Sequence, residues 1–151
     1  MTPEITITPM TMADYDEAMA LWQITEGMGL RPADERQHIA RYLARNPGLS
    51  FVARAGETLV GTVLCGHDGR RGYLQHLAVA KRYRRQGIGR ALVARALSAL
   101  RDADINKCHL FVLKTNRQAV DFWKRIGWFE RDDLFTLSHW TGAFDHEAGS
   151  G

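Results

Sequence analysis

The chain of 151 residues is poor in cysteine: Cys65 and Cys108 are too few and too far apart for a disulfide framework or a thiolate metal cluster. No apolar run approaches the roughly 20 residues that a membrane helix needs. Met1-Thr2-Pro3-Glu4 also lacks the basic-then-apolar order of a signal peptide. A cytoplasmic protein with no membrane partner, no metal and two buried thiols is expected. No internal repeat or low-complexity linker interrupts the chain. Its 45% hydrophobic and 25% charged residues suit a single domain over 1–151, with the polar, glycine-containing stretch 142–151 as a frayed tail.

The formal charge of +3 is not spread along the chain but gathers at Lys81, Arg82, Arg84, Arg85 and Arg90. No helix carries a base-reading basic face and the aromatics are not interleaved with cations, so nucleic acid is not the expected partner. A compact cationic cluster suits a ligand with several phosphates. At its centre stands Arg84-Arg85-Gln86-Gly87-Ile88-Gly89, which has neither the Gly-Lys-Ser/Thr ending of a P-loop nor the Gly-x-Gly-x-x-Gly of a dinucleotide fold. The apolar run Leu77-Ala78-Val79 precedes it. After it, Ala91, Leu92, Ala94, Ala96, Leu97 and Leu100 recur at helical spacing. A strand therefore feeds a loop that opens a helix, where unpaired backbone N–H groups and a partial positive charge favour an anion.

In chain order, Glu4 to Thr8 alternates like a strand, and Thr11 is placed to cap a helix from Met12 to about Thr25. A second helix is expected from Ala33 to Arg45, ended by Asn46-Pro47-Gly48. Ser50–Ala55 and Thr58–Gly66 flank a Gly56-Glu57 turn as a hairpin. The glycine-rich 66–72 loop then leads to a fourth strand, Tyr73–Val79. Past the cationic loop and its helix, Lys107–Lys114 reads as a strand and Asn116–Ile126 as a helix. Trp128–Arg131 and Leu134–Trp140 read as two closing strands. The order β-α-α-β-β-β-α-β-α-β-β gives an α/β fold, a mixed central sheet with helices on both faces.

Arg84-x-x-Gly87-x-Gly89, preceded by Leu77-x-Val79, resembles the acyl-CoA loop of the GCN5-related N-acetyltransferase (GNAT) superfamily, and the element order resembles that fold from end to end. Asn116-x-x-Ala119-x-x-Phe122-Trp123-x-x-x-Gly127-Trp128 resembles a second motif of the family, and Gly-His-Asp-Gly-Arg-Arg-Gly-Tyr resembles a subgroup of small stand-alone bacterial members. The resemblance implies a splay between the fourth and fifth strands, direct acetyl transfer from acetyl-CoA to an amine, and no metal. It assigns Leu77 and Val79 to backbone contacts with the pantetheine arm, the amides of Arg84, Arg85, Gln86, Gly87, Ile88, Gly89 and Arg90 to the pyrophosphate, and Asn116 and Ala119 to the cofactor's flank. Backbone N–H around Leu77 and Ala78 would serve the oxyanion.

The family's acid and base positions are unusual here. The tyrosine that many members place at the thiol corresponds to Trp123, whose indole cannot donate a proton as an acid but can hydrogen-bond sulfur or simply pack. Base positions fall on Tyr73, Gln75 and Phe111. Tyr73 and Gln75 share one strand face and can position a water, while period-two geometry sends His76 to the other face as a packing residue. His67 and Asp68 are the nearest titratable pair, with turn chemistry as their other role. Trp22, Glu26 and Arg31 are candidate acceptor contacts. The expected acceptor is a small-molecule primary amine; a protein N-terminus or lysine, or a non-catalytic CoA sensor, are the alternatives, and a homodimer is the oligomer entertained.

Overall fold

In the computed structural model, which describes residues 3–142, polar–apolar alternation yields β1 (Ile5–Pro9), β2 (Phe51–Ala55), β3 (Thr58–His67), β4 (Gly72–Val79) and β5 (Cys108–Leu110). The strands lie in sequence order, β1 to β4 antiparallel and β4 to β5 parallel. Helices α1 (Tyr15–Gln23) and α2 (Arg36–Arg45) fill the connection from β1 to β2, α3 (Ile88–Asp102) forms the crossover from β4 to β5, and α4 (Arg117–Arg125) follows β5. The expected 142–151 tail lies outside the described residues apart from Gly142.

Alternation along the strands divides the core in two. Phe51, Ala53, Val63 and Leu74 pack toward Leu92, Val93, Ala96 and Leu100 of α3. Val52, Leu64 and Ala78 meet Ala18, Leu21, Trp22 and Ile39 on the opposite face. Local signals set the helix ends. Thr11 and Asp14 form a reciprocal capping box before α1, with Thr11 N–H to Asp14 Oδ2 at 2.9 Å. Asn46 ends α2, and its Oδ1 accepts the His67 N–H at 3.1 Å, tying that helix to the end of β3.

Two expectations need correction. Only Cys108–Leu110 of the 107–114 run is a strand, paired with Gly72–Leu74. The register of β3 with β4 then slips between Leu64↔Gln75 and Thr62↔Ala78, a bulge at His76–Leu77 that swings β4 away from β5. The closing strands at 128–131 and 134–140 do not form: residues 128–142 contain no strand, because a three-residue β5 offers no edge long enough to template them. Phe129, Leu134, Phe135 and Leu137 are consequently exposed.

Candidate functional site

The splay is visible in the pairing. β4 runs on to Val79, whereas its last partner in β5 faces Leu74, so from Gln75 onward its outer edge has no ladder. Beyond Val79 a short 3₁₀ turn, Lys81–Tyr83, leads into the cationic loop, where Arg85 (φ 64°) and Gly87 (φ 82°) adopt left-handed backbone. These turns aim the N–H groups from Arg85 to Arg90 at solvent with no acceptor among the described residues. A Cβ added at Gly87 would meet nothing within 4 Å, so the space over those amides is open. Gly89 has a different reason to be small: its Cβ would lie 3.5 Å from Phe122 Cζ and 3.7 Å from Val79 Cγ2, where α3 approaches α4.

Arg84 turns away from this cradle. Its Nε donates to the Val79 carbonyl at 2.9 Å and its Nη2 to Glu26 Oε1 at 2.6 Å. It therefore braces the loop, and its Nε takes one of the two lone pairs of the Val79 carbonyl. Glu26, held below the usual carboxylate range chiefly by the Arg84 hydrogen bond, is paired with Arg84 through Oε1. Asn116 caps α4, its Oδ1 accepting the Ala119 N–H at 3.2 Å, and a Cβ at Gly27 would strike its Nδ2 at 2.6 Å. The segment after α1 thus closes over the start of α4. Trp123 stands in an aromatic group with Phe122 and Trp128, ring centroids 5.3 and 5.0 Å away.

On the α1/α2 face, Tyr73, Gln75, His67 and Asp68 line a cavity of about 270 Å³ with Tyr42, Arg45, Asn46 and Gly66. Tyr73 stacks on Phe111 with centroids 6.4 Å apart. His67 Nδ1 accepts the Gly69 N–H at 2.9 Å. Asp68 Oδ1 accepts the N–H groups of Arg70 and Arg71, each at 2.8 Å; these bonds, Arg71's foremost, hold its carboxyl low. These two bonds make the 68–71 turn. The Tyr42 hydroxyl at the cavity wall is buried with no hydrogen-bond partner among the described residues.

Trp22, expected at the acceptor entrance, is 0% exposed and cannot touch an incoming molecule; its Nε1–H donates to Thr62 Oγ1 at 2.9 Å. Arg31 also turns inward in part: its backbone N–H bonds Asp34 Oδ2 at 2.9 Å and its Nη1 the Leu30 carbonyl at 3.2 Å. The residue the sequence reasoning misplaced is His76. Its φ of 50° in the bulge breaks the period-two rule and brings it to the same face as Gln75, where it meets the Trp22 ring at 4.7 Å. There its Nε2 lies 2.7 Å from Asp34 Oδ1. Asp34 is 42 positions away in sequence, so no spacing announces the pair. Among the described residues, no group of three or more His, Cys, Asp or Glu is arranged to hold a metal ion, and no helix is long and apolar enough to cross a membrane.

A family model described as "Acetyltransferase (GNAT) family" matches residues 15–128. N-alpha-acetyltransferase 30 of Xenopus laevis is 38% identical over 101 residues, which are 63% of this chain but only 37% of that relative. An acetyltransferase of Pectobacterium atrosepticum is 32% identical over 125 residues, 82% of this chain and 86% of the relative. In fold, the chain is similar to the PaiA N-acetyltransferase of Thermoplasma acidophilum in complex with coenzyme A: TM-score 0.75 at 18% identity, over 85% of this chain and 92% of that one.

Proposed function

Since the chain belongs to the acetyltransferase (GNAT) family, we propose that it transfers an acetyl group from acetyl-CoA to the primary amine of a small molecule. One observation carries the proposal: the run of unpartnered N–H groups from Arg85 to Arg90 sits at the mouth of the gap between β4 and β5. Helix N-termini with free amides bind phosphate through hydrogen bonds and the local partial charge. Lys81, Arg82, Arg85 and Arg90 are exposed around that cradle and complement a ligand with several phosphates. The open edge of β4 from Gln75 to Ala78 offers backbone partners to an extended, amide-bearing arm.

Acetyl-CoA supplies the acyl thioester when bound. The chain's own residues do the rest. Backbone N–H at the bulge, around Leu77 and Ala78, is the donor available for negative charge on the carbonyl oxygen. The cavity of Tyr42, Asn46, His67, Tyr73 and Gln75, at about 270 Å³, has the size of a small amine and supplies several polar partners. A second reading, acetylation of a protein N-terminus, is favoured by the 38% identity with N-alpha-acetyltransferase 30; the same cavity would then take the first residue of a peptide.

Free thiol release from acetyl-CoA, followed with a panel of polyamines, amino acids, aminoglycosides and N-terminal peptides, separates these readings. Turnover with a small amine supports the first, and turnover with peptides alone supports the second. Coenzyme A is expected to raise the melting temperature, and Gly87→Val to abolish that rise by placing a side chain over the amides. A melting temperature indifferent to coenzyme A would overturn the proposal.

A further inference from the structure

His76 and Asp34 form the one part-buried carboxylate–imidazole pair among the described residues. Three features distinguish the pair from ordinary packing. The backbone of His76 is held at φ 50°, a conformation that non-glycine residues adopt rarely and at a cost in strain. Its carbonyl accepts the Thr62 hydroxyl at 2.8 Å, and Thr62 Oγ1 in turn accepts the Trp22 indole N–H at 2.9 Å, so a buried chain of hydrogen bonds fixes the bulge in place. Asp34 is itself pinned: its Oδ2 accepts the Arg31 N–H at 2.9 Å and its carbonyl accepts the Tyr15 hydroxyl at 2.7 Å.

These bonds decide which ring nitrogen carries the proton. Burial pushes the Asp34 carboxyl up, but the hydrogen bond and charge of His76, with the Arg31 N–H, outweigh it and hold the carboxyl below its usual range. An ionised carboxylate only accepts hydrogen bonds, so His76 Nε2 bears a hydrogen, and whenever the ring is neutral Nδ1 bears the lone pair. Nδ1 makes no hydrogen bond among the described residues. The ring belongs to the bulge itself, two positions past the last residue of β4 that pairs with β5 and next in sequence to Gln75 of the cavity, and its side chain keeps 15% exposure.

Resting on the acetyl-transfer reading, we propose that His76 Nδ1 is the base that takes the proton from the acceptor amine, and that Asp34 is the residue that positions it. As the amine nitrogen bonds to the acyl carbon, its proton passes to Nδ1. The carbon–sulfur bond breaks, the electron pair leaves on sulfur, and the imidazolium returns its proton to the thiolate or to water. Asp34 balances the imidazolium while it lasts. His67, Asp68, Tyr73 and Gln75 then shape the cavity and need not act as base. The groups facing His76 are Trp22 from α1, Asp34 with the neighbouring Arg31 from the turn before α2, and Thr62 from β3.

Two measurements test this. In the ligand-free protein, ¹⁵N NMR of the His76 ring is expected to show the Nε2–H tautomer in the wild type and to lose that preference in Asp34→Asn; an Nδ1–H tautomer in the wild type would overturn the assignment. In turnover, His76→Asn, chosen because Asn tolerates left-handed backbone, is expected to lower kcat about 100-fold or more with an unchanged coenzyme A thermal shift. It should also lose the acid limb of the kcat/KM profile. Asp34→Asn should lower kcat by less than His76→Asn does, because the base is still present but no longer held in one tautomer. A folded His76→Asn protein with wild-type kcat and pH profile would overturn the base assignment alone, whereas a wild type that acetylates no amine would overturn the function and the base together.

Discussion

Tyr42 buries a hydroxyl without a partner among the described residues, an arrangement that ordinarily costs about 1–3 kcal/mol. Tyr42→Phe is therefore expected to leave stability to urea unchanged or raised, the reverse of the usual result for a buried tyrosine. If the hydroxyl awaits the acceptor, the same variant raises the acceptor KM without changing the coenzyme A thermal shift. Thr62→Val acts in the opposite sense. It strands the Trp22 indole N–H in the core and should cost about 1–3 kcal/mol by urea denaturation. Of the two thiols expected to be buried, Cys65 is buried and Cys108 half-buried, and burial pushes Cys65 up to about 12 and Cys108 up to about 11. Because an unfolded thiol ionises near 8.5, the stability they contribute is complete below that pH and is lost as pH climbs through the native values. Iodoacetamide at pH 8 should label neither in the native protein and both after denaturation, as read by intact mass. His76 shows where single-residue reasoning stops: strand periodicity assigns a face only while the register holds, and the bulge that reverses it depends on Thr62, Trp22 and Asp34 from three distant elements.

The elements whose ends carry their own chemistry were the readable ones. Thr11 with Asp14, Asn46-Pro47-Gly48, and Asn116 each satisfy a helix terminus locally, so the helices fall within a few residues of where the sequence puts them. The turn from Arg85 to Arg90 was readable for the same reason, since Gly87 acts on the backbone beside it. Arg84 was not, because its partners Val79 and Glu26 are supplied by the fold. The closing strands failed for a related reason: β-rich composition at 128–140 is necessary for a strand, but a strand exists only against a partner edge. How closely β4 approaches α3 is set by one residue. A Cβ at Gly72 would stand 2.6 Å from Leu100 Cδ1 and 3.0 Å from its Cδ2. Gly72→Ala should thus lose about 1–3 kcal/mol by overpacking, measured by urea titration; no loss would mean that Leu100 has room to turn aside.

At the scale of the whole molecule, the described surface is uneven. The sheet's β1 to β4 portion is covered on both faces, whereas Phe129, Leu134, Phe135 and Leu137 stand exposed beyond α4. Phe135 is 95% exposed, so Phe135→Ser should change the stability of the monomer by no more than about 0.5 kcal/mol; a larger loss, if it also depends on protein concentration, would show that a second copy covers these side chains. Sheet order has a different consequence, one of time. Neighbours in sequence are neighbours in space throughout; β2, β3 and β4 pair across short antiparallel turns, whereas β1 must wait for α1 and α2 and β5 for the α3 crossover before they can pair. The β4–β5 joint, with the fewest paired residues in the sheet, is also the one that parts to form the gap. Under native conditions the amides of β5 should therefore exchange with solvent through local opening, while those of β2 and β3 exchange only when the whole domain unfolds.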